Sequence, residues 1–444
     1  MDTIGKNPVV YVFKVVYRRH TNFAIEAIEQ TFSGQADFGK KVTVTVSRNG
    51  DLITKVYVVV GLPQITPNTQ GVNLAWTRHL GNIMIAQVEV EIGGQLIDRH
   101  YGEWLVIWAE LTVPAGQQDG YAEMTGNTMD MWGIKVGGSG EFLPAKELYI
   151  PLQFWFNRNY GLALPLIALQ YHEVKINVWF RPLNELLIQY NDEDVIEPLQ
   201  TSVQMQYCSL WIDYIYLDTD ERRRFAQVSH EYLIEQLQYT GEETITGPNN
   251  KIRLNFNHPC KELVWVSRLA DAEAKLQWAN FTSETNVGFN EYSGDNPMVD
   301  AKLQLNGHDR FRTRIARYFN LVQPYQHHTN IPATGIYVYS FGIKPEEHQP
   351  SGTANLSRID NATFLMTFNP NLFTGNFTTL KTVSLLIYAV NYNVLRIMSG
   401  MGGLNLLVIL LLITVNQGLK AVCYSKVRKA IEKPFVSSLI KTNC

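Results

Sequence analysis

Histidine, cysteine and paired acids are the side chains that could hold a metal or carry acid–base and nucleophilic chemistry, and here their spacing is poor for all of these. The chain has ten histidines and four cysteines in 444 residues. Zinc sites place such ligands at short, regular intervals on elements that converge. Only His327 and His328 are neighbours, with Pro324 and Pro332 nearby, and they read as a loop; there is no H-x-H and no H-E-x-x-H. Cys208, Cys260, Cys423 and Cys444 form no C-x-x-C pair, and so few cysteines in so long a chain fit a reducing cytoplasm better than a disulfide framework. His172-Glu173 and His230-Glu231 each set an acid beside a histidine, but two residues do not fill a coordination sphere. Gly137-Gly138-Ser139-Gly140 lacks the lysine of a phosphate loop and reads as a flexible loop tip. The acidic run at 192–194 reads as a solvated loop, no G-x-S-x-G occurs, and no carboxylate pair is singled out for glycoside hydrolysis. The expectation is a protein without catalytic residues, metal or cofactor. The remaining candidates for chemistry are N-x-S/T sequons at Asn280, Asn355, Asn361 and Asn376.

The elements that carry these residues are short and β-rich. Composition is 45% hydrophobic and 18% charged, which is globular, and the length suffices for two domains of about 200 residues. Runs such as Val42–Val46 (VTVTV), Val56–Val60 (VYVVV), Val174–Phe180 (VKINVWF) and Leu148–Phe156 (LYIPLQFWF) are aromatic and β-branched, and many alternate with period two. Turn residues such as Asn49-Gly50-Asp51 and Gly93-Gly94 separate them. No long amphipathic helix is evident, so the pattern points to all-β sandwiches. A net charge of −3 gives no electrostatic hold on nucleic acid. The opening MDTIGKNPVVYVF has no basic segment leading into an apolar one, so no signal peptide is expected.

The second half repeats the first in outline. Glu89–Tyr101 (EVEIGGQLIDRHY) and Lys302–Arg314 (KLQLNGHDRFRTR) are each an alternating strand, a glycine-ended turn and a segment carrying Asp-Arg. Gly94 and Gly307 are 213 residues apart, and Lys41–Val46 precedes Lys251–Phe256 by 210. Two tandem copies of one sandwich is the economical reading. Asp98, Arg99 and Arg310 follow the tight turns and are candidates for ion-pair or backbone contacts. Trp155 and Trp179, inside apparent strands, read as core.

Lys344–Phe364 (KPEEHQPSGTANLSRIDNATF) is a polar connection whose Pro345, Pro350 and Gly352 forbid a regular helix or strand. It closely resembles a signature segment of the major capsid proteins of nucleocytoplasmic large DNA viruses, of the algal-virus and iridovirus type. Tyr17–Ile25, Ser47–Ile53, Gly161–Val174, Phe225–Gly241, Leu254–Leu263, Tyr318–Gln326 and Asn391–Gly403 also look like family motifs, in family order. The resemblance implies a double jelly roll: two tandem eight-stranded jelly-roll β-sandwiches. On this reading residues 1–25 are an N-terminal arm, 26–217 the first jelly roll, 218–224 a charged linker and 225–403 the second jelly roll. It further implies a homotrimer of pseudo-hexagonal outline, a capsomer tiling an icosahedral virion shell, made in the host cytoplasm. Neighbouring capsomers and the minor capsid and penton proteins are the implied partners, with no direct nucleic acid. Connections such as Asp271–Asn296 and Gln117–Gly140 would rise as outer towers. The alternatives are a carbohydrate-binding β-sandwich protein, which needs an exposed aromatic platform or a carboxylate pair, and a minor capsid homologue.

Residues 404–444 depart from the family pattern. Leu406–Val415 (LLVILLLITV) is almost wholly apolar, and Lys426, Arg428, Lys429, Lys433 and Lys441 follow it. As a helix its ten residues span about 15 Å, half the roughly 30 Å of a hydrocarbon core. Packing under the second domain, contact with an internal viral membrane or minor capsid protein, and a divergent terminus without function all stay open.

Overall fold

A computed structural model describes residues 22–67, 69–191, 195–285, 292, 294–373 and 382–404. The arm up to residue 21, the acidic run 192–194, Asn376 and the tail from residue 405 lie outside these described residues.

Alternating runs become strands because one face of each can be buried while the other carries polar groups. In the first half these are β1 (Phe23–Thr31), β2 (Lys41–Thr45), β3 (Leu52–Leu62), β4 (Ile85–Ile92), β5 (Gln95–Tyr101), β6 (Lys146–Pro151), β7 (Val174–Phe180) and β8 (Tyr207–Leu217). They form two antiparallel sheets, in the orders β1-β8-β3-β6 and β2-β7-β4-β5. Val56, Val58 and Val60 of β3 face inward with Leu210 and Ile212 of β8, against Val88, Val90, Ile176 and Val178 of the other sheet.

The second half supplies β9 (His230–Ile245), β10 (Asn249–Leu254), β11 (Pro259–Leu269), β12 (Met298–Leu305), β13 (His308–Asp309), β14 (Ile336–Ser340), β15 (Ala362–Phe368) and β16 (Val383–Met398). The orders are β9-β16-β11-β14 and β10-β15-β12-β13, which is the first half's arrangement with eight added to each number. This wrapping of two four-stranded sheets is the jelly roll. The all-β double jelly roll expected from the resemblance is therefore the fold found.

The repeated turn has the same backbone in both halves. Gly93 and Gly94 have φ of 58° and 79°, and Asn306 and Gly307 have φ of 51° and 81°. Each pair closes a two-residue hairpin, Ile92 opposite Gln95 and Leu305 opposite His308. Positive φ at both central residues is the type I′ turn, whose twist matches that of the flanking strands. A third such turn, Ser399-Gly400 (φ 54° and 80°), joins β16 to a short β17 (Met401–Leu404).

Three local expectations are corrected. The first strand starts at Phe23, inside the segment assigned to the arm. Trp155 is not in a strand: β6 ends at Pro151, and Asn157 accepts a hydrogen bond from the Phe154 amide at 3.0 Å, starting the helical turn Trp155–Arg158. An eleven-residue helix, α1 (Gly102–Thr112, GEWLVIWAELT), follows β5 where no helix was expected. The charged run at 218–224 opens a second helix, α2 (Thr219–Gln227), with Asp218 as its cap and Arg222 2.9 Å from Asp51.

Candidate functional site at the junction of the two sandwiches

A cluster of buried charge and aromatic rings lies where the sandwiches meet. Helix α1 is mostly apolar because most of it is buried; Ala109, Glu110 and Thr112 are half-buried. Leu105 and Val106 pack into the first core. Trp104, Ile107, Trp108 and Leu111 cover the outer face of the β9-β16-β11-β14 sheet, against Val264, Val266, Leu386 and Tyr388. The Trp104 ring lies 5.2 Å from that of Tyr388.

Charges ring this apolar contact and pair across it. Arg268, in β11, is 1% exposed and places Nη1 3.3 Å from Glu103 of α1 and Nη2 2.9 Å from Glu242. Burial alone would lower the Arg268 pKa, but these carboxylates raise it instead. Glu103 also binds Arg181 at 2.6 Å, and both guanidiniums flank the Trp278 ring. Arg158 lies 4.0 Å above Trp108 and reaches Glu235 of β9 at 2.9 Å, where buried Lys261 binds the other carboxylate oxygen at 2.6 Å. Stripping water from such pairs is costly unless each charge is met, and here each is met by a partner of opposite sign.

Backbone and polar ties complete the junction. Asp98 is buried, accepts from the Leu237 amide of the second sandwich at 3.1 Å, and lies 3.1 Å from His100. Arg99 pairs with Glu89 at 2.6 Å, so the Asp-Arg after the first turn does structural work. Arg310 holds the second hairpin through its backbone, donating to Leu303 O at 2.8 Å. The Gly402 carbonyl of β17 lies 2.9 Å from the His172 ring, and the Tyr171 amide donates to Gly400 O. Segment 271–285 is tied to connections of the first sandwich: Trp278 donates to Glu185 O at 2.8 Å, and Thr77 donates to Leu276 O at 2.8 Å.

The signature segment acts as a clamp at the end of the second sandwich. Glu346 accepts from the Thr329 amide at 2.8 Å and lies 2.9 Å from His328 Nδ1; His328 Nε2 is 2.9 Å from Glu262. Burial opposes charge on His328, yet the two carboxylates hold its pKa up at about 9. Burial likewise opposes charge on Glu346, but donors from His328 and Thr329 hold it below the usual carboxylate range. Lys261 donates to the Pro345 carbonyl. His328, expected as part of a plain loop, is thus a fully buried charge bridge; nothing adjacent in sequence signals it.

The sequons are not brought together. Asn280 is 1% exposed, and its amide nitrogen donates to Gln277 and Glu284 O at 2.8 and 2.9 Å. That nitrogen is the atom a glycan needs, so Asn280 is withdrawn as a candidate. Asn355 is half-buried and caps a short turn, accepting from Ser357 N. Asn361 is exposed beside the second hairpin. Gly137, expected at a flexible tip, is buried and donates to Asn73 at 3.0 Å. Among the described residues, no three His, Cys, Asp or Glu side chains converge as metal ligands.

Comparison with known proteins matches both halves separately. Residues 11–218 match the family described as major capsid protein N-terminus, and residues 221–403 the family described as large eukaryotic DNA virus major capsid protein. The major capsid protein of Pyramimonas orientalis virus is 50% identical, across 90% of this chain and 95% of that one. That of Paramecium bursaria Chlorella virus 1 is 44% identical, across 90% and 94%. The solved structure of VP54 from the latter virus, fitted into a reconstruction of the virophage Sputnik, aligns with a TM-score of 0.73 at 41% identity, covering 88% of this chain and 98% of that one. The Faustovirus major capsid protein shares the fold at 13% identity, with a TM-score of 0.70 over 88% of this chain and 93% of its own. Two jelly rolls of one strand order, matched half by half and at up to half identity, place this chain in the major capsid protein family of large eukaryotic DNA viruses.

Proposed function

We propose that this chain is the shell-building protein of a large double-stranded DNA virus. Three copies associate into a pseudo-hexagonal capsomer, and capsomers tile an icosahedral capsid. The observation that carries this is the junction. Two sandwiches of one strand order are fixed side by side by α1 and by paired buried charges. A chain so built offers two similar wedges, and three chains offer six. The units of this assembly are the rolls at 23–217 and 230–404. The protein works by complementary surfaces in the virion shell and turns nothing over. Minor capsid and penton proteins are its further partners, and among the described sequons Asn361 is the one best placed to carry sugar. Among the described residues no helix is long and apolar enough to cross a membrane. Leu406–Val415 lies outside them, and contact of that run with an internal membrane belongs to the same proposal.

The test is native mass by light scattering, on the full chain and on one ending at Leu404. A species of three times 50.6 kDa in both supports the capsomer. A stable monomer in both overturns it.

A further inference from the structure

The two sandwiches share one strand order, but their equivalent outer faces are not equally covered. In the second, the face of β9-β16-β11-β14 is sealed by α1, the connection between the fifth and sixth strands of the first. In the first, Ala163 and Phe225 cover the Leu52–Ile215 end of the β1-β8-β3-β6 face, but among the described residues no helix covers the rest of it. Trp211 on β8 pairs in register with Tyr57, and Tyr149 and Tyr207 lie on the same face. Trp211, Tyr149 and Tyr207 are 36%, 41% and 46% exposed. Around them stand Glu29, opposite Trp211, and Glu147, with Asp213 two residues along β8.

The equivalent connection in the second sandwich, residues 310–335, carries the matching chemistry. Its helical part, Tyr318–His327, sets Phe319 into its own core. The other side shows Leu321, Val322 and Tyr325, which are 41%, 41% and 77% exposed. Just before it, Arg312, Arg314 and Arg317 are all exposed. Helix α1 has the same two-sided build, with Leu105 and Val106 inward and Trp104 and Trp108 outward onto a neighbour. Its contact is bordered by an arginine, Arg158, bound to an acid on the covered sheet, Glu235.

We infer that the 312–325 segment of one copy docks on the Trp211–Tyr149 face of a second copy, repeating between chains the junction already made within each. Leu321, Val322 and Tyr325 cover the aromatic residues, and the arginines meet Glu29, Glu147 and Asp213. The contact is heterologous, because donor and acceptor are different surfaces. Repeated with the same sense as the internal junction, it alternates first and second sandwiches around a closed ring. The inference rests on the trimer proposed above and names the surface that makes it.

The experiment uses full-length chains. Trp211→Asp removes the acceptor face, and Val322→Asp with Tyr325→Asp removes the donor face. All three positions are exposed, so the circular dichroism spectrum and a single cooperative unfolding transition should be kept, with a melting temperature lowered only by the lost association, which separates lost docking from lost folding. Each variant alone should be a monomer where wild type is a trimer, with association weakened on the order of 30-fold or more, the usual cost of losing an interface anchor. Mixed in equal amounts, the variants keep one intact donor and one intact acceptor, and at high concentration should give a species of two chains. A trimer from either variant alone, or a mixture that stays monomeric, overturns the docking surface while leaving the trimer standing. A wild-type monomer overturns the trimer and this surface together.

Discussion

Arg268 and Glu103 meet at 3.3 Å with less than a tenth of either side chain exposed, one from each sandwich. Each also has a second partner, Glu242 for Arg268 and Arg181 for Glu103. The relative position of the two rolls is thereby written in a pair of charges, Arg268 and Glu103, that solvent barely reaches.

Arg268→Ala should lower the unfolding free energy by about 3–5 kcal/mol, because it leaves buried Glu103 with Arg181 as its one remaining counter-charge and opens a cavity at a fully buried side chain. Urea denaturation measures it. In a cycle with Glu103→Leu, the double variant should cost about 1–3 kcal/mol less than the sum of the singles. Additive losses would mean that the pair does not couple the sandwiches.

Trp108→Ala should cost about 3–5 kcal/mol through the cavity it leaves and the Arg158 stacking it removes. Limited proteolysis should then cut between the two rolls, with both fragments surviving. Unchanged protease resistance would show that α1 is not what seals the junction.

Alkali should weaken the clamp at the signature segment. The His328 pKa is about 9, above its ordinary 6.5, so the folded state holds the proton more tightly. That stabilisation is full below about pH 6.5 and is lost as pH rises through about 9, an effect on the order of 3 kcal/mol. His328→Gln should flatten stability against pH across this window. His79 acts on the acid side: burial, with Arg78 nearby, lowers its pKa to about 3, so its contribution is full above about pH 6.5 and declines below it.

The first hairpin offers a matched pair of substitutions. At Gly94, φ is 79° and an added Cβ meets nothing, so Gly94→Ala should cost only the backbone term of about 1 kcal/mol. At Gly93 the same Cβ would strike the His172 ring, so Gly93→Ala should cost more and loosen the tie to Gly402. Thermal melts of the two variants decide it; equal losses would mean that His172 is free to move aside.

Peptide mapping of protein from infected cells should find Asn280 unmodified, since its amide nitrogen is buried and donates twice. Sugar found at Asn280 would show that this segment opens before the fold is complete.

What could be read from sequence was what local chemistry decides. Gly93-Gly94 and Asn306-Gly307 mark their hairpins because positive φ is a property of the residues themselves. The repeated strand pattern followed from such signals, whereas the family came from the resemblance of Lys344–Phe364 and the other motifs to known capsid proteins. Helix α1 was not legible. Its partner sheet lies more than a hundred residues away, and a helix buried over most of its surface has too few polar residues to reveal its period. His328 was hidden for the same reason, since Glu262 and Glu346 reach it only through the fold. Asn280 misled because a sequon reports a triplet and not the burial of its amide.

The sheet order has a consequence for synthesis. In each roll the last strand made sits between the first and the third: β8 between β1 and β3, β16 between β9 and β11. A ribosome therefore releases two strands whose facing edges must wait, unpaired, for a strand nearly a whole domain later. Until Leu217 has emerged the first roll has a gap at its centre, and until Met398 the second has one too. Open strand edges of this kind recruit any strand at hand, including those of nascent chains on the same message. Each roll is therefore most open to such pairing in the interval before its closing strand is released.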